Sequence, residues 1–118
     1  MARSETLPIY IDTYHFAEQI FQCTIKFSRE YKFVLGTSLN EHVLDLGCLI
    51  VKAHHETERA PILKDFIMLL EKVRLQLRLS IDFHLLSYRQ YACLVQLLEK
   101  IMKQAVSWLK SERRKIDE

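Results

Sequence analysis

Glycine and proline are nearly missing from this chain, with two of each in 118 residues. Sheet-rich folds need both at their many turns, so the scarcity argues for a few long helices joined by short links. Long apolar runs are missing too. The longest, around Leu46-Gly47-Cys48-Leu49-Ile50-Val51, falls well short of the ~20 residues a membrane span needs. The opening Met1-Ala2-Arg3-Ser4-Glu5-Thr6 lacks the apolar core of a secretory signal. No membrane partner is expected. Cysteine is scarce and odd in number: Cys23, Cys48 and Cys93 are widely spaced, without Cys-x-x-Cys. That argues against a disulfide frame or a zinc site and predicts reduced thiols, buried as small hydrophobes, in a cytoplasmic protein.

Motifs that carry chemistry are lacking as well. Gly36 and Gly47 stand alone, so there is no glycine-rich phosphate loop, and neither Gly-x-Ser-x-Gly nor His-Glu-x-x-His occurs. The one cluster that resembles metal ligands is His54-His55 with Glu58. His54 and Glu58 share a helical face, but His54 falls on the core stripe and His55 about 100° away, so the two histidines do not serve one site. No metal and no cofactor is expected, and an enzyme is not.

What remains is an ordinary globular composition, 49% hydrophobic and 27% charged, in a chain sized for a single domain over residues 1–118. Four segments show helical periodicity and none alternates with period two. The expected helices run over about 8–29, 38–57, 61–84 and 88–110, followed by a short basic tail. Pro8 and Pro61 suit first helical turns. Gly36 punctuates the first link, with Ser38 and Glu41 forming a possible capping box, and Ser87 with Gln90 forms another. Links this short predict an all-α, antiparallel up-and-down four-helix bundle.

The middle helices carry two apolar faces each. On the third, Leu63, Phe66, Leu70, Val73, Leu77 and Ile81 form a core stripe, and Met68, Leu75 and Leu79 lie nearly opposite. On the second, Leu39, Val43, Leu46, Ile50 and His54 form one stripe; Leu44, Cys48, Val51 and His55 form another. A bundle helix needs one apolar stripe. The second set predicts a further buried surface and hence a homo-oligomer, with these seven outer residues at the interface. The first helix places Tyr10, Ala17, Ile20, Thr24 and Phe27 on one side.

Net charge is only +2, but it is unevenly spread: residues 89–115 carry seven basic side chains against two acidic ones. In the fourth helix Tyr91, Leu94, Leu98, Ile101, Ala105, Trp108 and Leu109 face the core. Lys100, Lys103, Ser107, Lys110 and Arg114 line the other side within about 80°. A row of cations suits phosphate recognition, and a solvated helix face is the plainer meaning of the same row. Arg74 and Arg78 sit beside the third helix's core stripe, where a carboxylate such as Glu18, Asp45 or Glu71 would tie them; otherwise they reach phosphate. Lys26, Arg29 and Lys32 form a third basic group where the first helix ends.

Several segments together resemble a known family. Phe27-Ser28-Arg29-Glu30-Tyr31-Lys32-Phe33-Val34-Leu35-Gly36 resembles the link between helices 1 and 2 of the bacterial four-helix-bundle family. That family contains the accessory variability determinant proteins of diversity-generating retroelements and the proteins encoded by ribosomal RNA intervening sequences. Leu75-Gln76-Leu77-Arg78-Leu79 is similar to its arginine-bearing third helix, Leu86-Ser87-Tyr88-Arg89-Gln90-Tyr91 to its entry into helix 4, and Trp108-Leu109-Lys110 to its closing motif. The likeness runs from about Leu7 to Lys110. Where the family often has a glycine-rich stretch before the closing tryptophan, this chain has Lys103-Gln104-Ala105-Val106-Ser107.

The resemblance implies a homopentamer with a positively charged surface. In retroelement members that surface binds nucleic acid and a reverse transcriptase. Carried over by position, the matching basic residues are Arg29, Lys32, Arg78 and Lys110, with Arg74 one turn from Arg78. The expectation is a non-catalytic accessory protein whose partners are itself, RNA or DNA, and a reverse transcriptase. The alternatives are a protein-interaction scaffold, or an intervening-sequence protein with no retroelement role.

Overall fold

The computed structural model describes residues 3–117; Met1, Ala2 and Glu118, the outer bounds of the expected domain, lie outside the described residues. The described residues form four long helices and no strand: α1 (Pro8–Thr24), α2 (Arg29–His55), α3 (Ala60–Asp82) and α4 (Tyr88–Asp117), preceded by a 3₁₀ turn at Ser4–Thr6. α1 packs on α2 and α4, and α3 packs on the same two helices. The four close into a ring measuring 51 × 23 × 21 Å. α2 is long and apolar enough to cross a membrane by length and composition. Here its buried line packs into the bundle, and Glu41, Asp45 and Lys52 are exposed along it.

Local chemistry explains most of the boundaries. Pro8 and Pro61 occupy first turns, where no backbone N–H is needed. At the start of α4 the reciprocal capping box forms in full. The Gln90 N–H donates to Ser87 Oγ at 3.0 Å, and the Ser87 N–H donates to Gln90 Oε1 at 2.9 Å. α3 ends on a Schellman pattern: the Leu85 N–H donates to the Ser80 carbonyl at 2.8 Å and the His84 N–H to that of Ile81 at 3.0 Å. His84 takes the left-handed position, φ 61°, where glycine is the usual occupant.

The first link differs from the expected one. α1 stops at Thr24, because the Lys26 and Phe27 N–H groups turn back onto the Cys23 and Thr24 carbonyls and Phe27 is buried. Ser28 is extended, and α2 starts directly after it, at Arg29, ahead of the expected 38. Gly36 is therefore no break. It lies in helical conformation at the end of a π-helical turn, Lys32–Gly36, that runs straight into Thr37–His55. A Cβ on Gly36 would meet Phe27 and Thr24 at 3.5 Å, ordinary contact. Ser38 caps nothing there; its hydroxyl instead accepts a hydrogen bond from Gln76 Nε2 at 2.8 Å.

The core runs along the bundle axis through Phe16, Ile20, Leu39, Leu46, Ile50, Phe66, Leu70, Leu77, Leu94, Leu98 and Ile101. On α1 the buried line is Ile9, Thr13, Phe16, Ile20 and Thr24, leaving Tyr10 and Ala17 at its edge. On α2 the last core position is Ala53, and the expected His54 is half-buried beside it. On α3 the expected stripe is buried except for the half-buried Ile81.

The far end of α4 continues as helix through the expected tail. Glu112 is buried there, 3.5 Å from Arg59 Nη1 and 3.3 Å from Lys115 Nζ, while Arg59 also donates to the His54 and Glu56 carbonyls. These bonds fasten the extra turns to the α2–α3 link.

Candidate nucleic-acid interface

α4 presents its basic residues on the side away from the core because its apolar residues recur every three or four positions. Leu94, Leu98, Ile101, Ala105 and Leu109 are buried, and Lys100, Lys103, Lys110 and Arg114 are exposed. The four cations are not equivalent. Lys100 Nζ lies 3.4 Å from Asp12 on α1, an aspartate that also accepts from Gln104 Nε2 at 2.7 Å, so part of its charge is spent within the bundle. Among the described residues Lys103, Lys110 and Arg114 make no ion pair. Lys103 and Lys110 flank a shallow groove floored by Met102, Val106 and Ser107. Glu99, the one acid beside the row, is turned aside to Arg74 on α3.

That pairing decides the place of Arg74. Its guanidinium bonds Glu99 and lies 3.3 Å from Glu71. Burial works against its charge, but hydrogen bonds and charge from Glu99 and Glu71 outweigh this and raise its pKa. Glu71 is one of the partners anticipated for it; Glu99 is not, and Glu18 pairs with His15 instead. Arg78 is exposed, 3.3 Å from Asp82, and hydrogen bonding to that carboxylate raises its pKa. Arg74 is thus a strut between α3 and α4, and Arg78 lies outside the α4 row.

Lys26, Arg29 and Lys32 are all exposed. Lys26 and Arg89 line one groove of about 380 Å³ between α1 and α4, with Gln19, Gln22, Cys23, Gln90 and Cys93. Arg89 was absent from the sequence-derived site. Its signal was available, since it lies on the same helical face as Lys100 and Lys103. The groove thus carries one cation from the end of α1 and one from the first turn of α4.

The outer apolar residues divide by helix. Leu44 is 56%, Met68 68% and Leu75 60% exposed, and Cys48, Val51, His55 and Leu79 are exposed beside them. α1 and its C-cap residue add a third stripe that sequence reasoning missed: Ile11, Tyr14, Phe21 and, at the cap, Ile25 are all exposed. Their spacing fits one helical face, but Glu18 in the middle of it disguises the pattern. Tyr14 and Leu44 meet across an apolar groove of about 280 Å³ between α1 and α2, lined also by Ala17, Gly47 and Cys48. On α4 only Tyr88 is a large exposed hydrophobe among the described residues.

The cysteines depart from expectation. Cys23 is half-buried, and Cys48 and Cys93 are exposed, because both sit on outer helical faces and not on the core line. Burial raises the Cys23 pKa, opposed by the charge of Lys26. His54 and His55 stack edge to face, with centroids 5.1 Å apart. Among the described residues no group of three or more His, Cys, Asp or Glu side chains is placed to hold a metal ion.

Set beside known proteins, the chain matches one family model, described as bAvd-like, over residues 9–112. No curated protein matches it.

Proposed function

The chain belongs to the bAvd-like family, and on that premise we propose that it is a non-catalytic accessory variability determinant protein that binds nucleic acid along α4. The observation that carries the reading is the division of labour among helices. α1, α2 and α3 each expose an apolar stripe, whereas α4 exposes Lys103, Lys110 and Arg114 in a row without carboxylate partners among the described residues. Cations kept free of internal pairing are available to replace the counterions around a phosphate backbone.

In this reading the helices run antiparallel, as the short links at 56–59 and 83–87 favour. Copies of the protein assemble through the stripes of α1, α2 and α3, in a pentamer as the family resemblance suggests, which repeats the α4 row around the assembly. The working partners are RNA or DNA and a retroelement reverse transcriptase, in the cytoplasm, where the exposed Cys48 and Cys93 stay reduced.

The test is charge reversal. Lys103→Glu, Lys110→Glu and Arg114→Glu together are expected to abolish RNA binding in a filter or anisotropy assay while leaving helix content unchanged. Full affinity in the triple variant contradicts the reading. A second reading, a protein-interaction scaffold, draws on the same three apolar stripes; stable capture of a protein partner after nuclease treatment, with no nucleic-acid affinity in the pure protein, favours it.

A further inference from the structure

One end of the bundle gathers residues that neither the core nor the α4 row uses. There α1 and α3 finish and α2 and α4 begin. Two observations fix the meeting point. The rings of Tyr31, in the first turn of α2, and Phe83, just past α3, stack with centroids 4.9 Å apart and planes within 19°. Lys26 at the end of α1 and Arg89 at the start of α4 line a common groove.

Two more aromatic rings belong to these same segments and face water. Phe33 is 73% exposed and Tyr88 80%. Phe33 lies within the π-helical turn Lys32–Gly36, ahead of the core line of α2. A π turn spends hydrogen-bond geometry, and a Phe turned outward gains nothing in folding. The adjoining His84 holds a left-handed backbone, which is unfavourable for a non-glycine residue. Each exposed ring has a cation next to it in sequence, Lys32 beside Phe33 and Arg89 beside Tyr88, and Glu30 is the one acid on the α2 lead-in.

We infer that this end of the bundle is a stacking platform for the unpaired bases of a single-stranded nucleic acid. The inference rests on the nucleic-acid reading above and gives it a substrate class. Every base has a π face, so exposed rings hold a strand without reading its sequence, and flanking cations meet the phosphates between stacked bases. A duplex keeps its bases inside and gives Phe33 and Tyr88 nothing to stack on. The two surfaces therefore divide the work: the α4 row meets phosphates of any form, and the end meets bases only where they are unpaired. Aromatic residues interleaved with cations set this end apart from the outer stripes of α2 and α3, whose hydrophobes are aliphatic or sulfur-bearing.

The experiment measures anisotropy of a labelled 12-nucleotide RNA, as a single strand and as a duplex, with a single-stranded DNA of the same sequence as a third probe. Proteins compared are the full chain, Phe33→Ala/Tyr88→Ala, Phe33→Leu/Tyr88→Leu, and Lys103→Glu/Lys110→Glu. Both rings are highly exposed, so folding survives either ring change, and circular dichroism checks it. The Ala pair is expected to lose roughly 10- to 100-fold in single-strand affinity with duplex affinity unchanged. The Leu pair, which keeps apolar bulk without a π face, behaves likewise. The lysine pair loses both.

Wild-type affinity for single strands in the Ala or Leu pair overturns the platform and leaves the α4 reading standing. So does an equal loss on single strand and duplex, or a loss of self-assembly in place of single-strand binding. A full chain that binds none of the three probes at low salt overturns both.

Discussion

Gln76 Oε1 accepts a hydrogen bond from His42 Nδ1 at 2.9 Å, which ties a buried amide of α3 to the flank of α2. The same amide donates from Nε2 to Ser38 Oγ. Hydrophobic stripes set how far apart two helices lie but only loosely how far one has slid along the other. A polar chain with fixed donors and acceptors sets that register.

Gln76→Ala is expected to cost about 1–3 kcal/mol, because it strips both α2 partners of their bond and opens space in the core. Chemical denaturation of the purified variant gives the number. A change below a few tenths of a kcal/mol shows that the chain of bonds does not hold the register.

Met68 and Leu75 stand on the outer side of α3, opposite its core line, with no internal partner to lose. Met68→Glu/Leu75→Glu therefore leaves the protomer's stability within about 0.5 kcal/mol. It removes an apolar surface from any contact between copies. Sedimentation velocity is expected to show an oligomer for the unaltered chain and a shift to monomer for this pair. An unaltered chain that sediments as a monomer at working concentration contradicts the assembly reading.

Cys23 is half-buried, whereas Cys48 and Cys93 are exposed. Burial raises the Cys23 pKa, so less of it is thiolate at neutral pH than an exposed cysteine would show. Iodoacetamide at pH 7.5 is expected to modify Cys93 first, with Cys23 slower and gaining rate as pH rises, while Cys48, on the α2 stripe, reacts fast only in unassembled protein. Peptide mass spectrometry over time follows all three. A Cys23 rate equal to that of Cys93 contradicts protection of Cys23 by burial.

Much of the fold was legible because it depends on spacing. The core stripe of α3 and the capping box of Ser87 and Gln90 follow from residues three, four and seven apart, and the structure keeps both. Gly36 misled, since a glycine signals a helix end only when the backbone turns left-handed, and here its φ is −62°. The true left-handed residue is His84, which no composition rule marks.

The α4 row was readable as a stripe, but which of its cations are spent was not. Asp12 and Lys100 lie 88 positions apart in the chain, and so their pairing depends on which helices become neighbours. The same holds for Arg74 and Glu99, and for Lys26 and Arg89 lining one groove. Sequence periodicity places a residue on a face; packing decides what that face meets.

The most direct test of a phosphate-binding row on α4 is the salt dependence of RNA binding. Affinity of the full chain and of Lys103→Gln/Lys110→Gln is measured across a salt series with one duplex RNA. The full chain's log affinity should fall linearly with log salt, and the variant's slope should be shallower by about 0.9 for each cation removed, near the B-form value. Affinity that barely responds to salt, or slopes that coincide in the two proteins, contradicts the assignment of that face to nucleic acid.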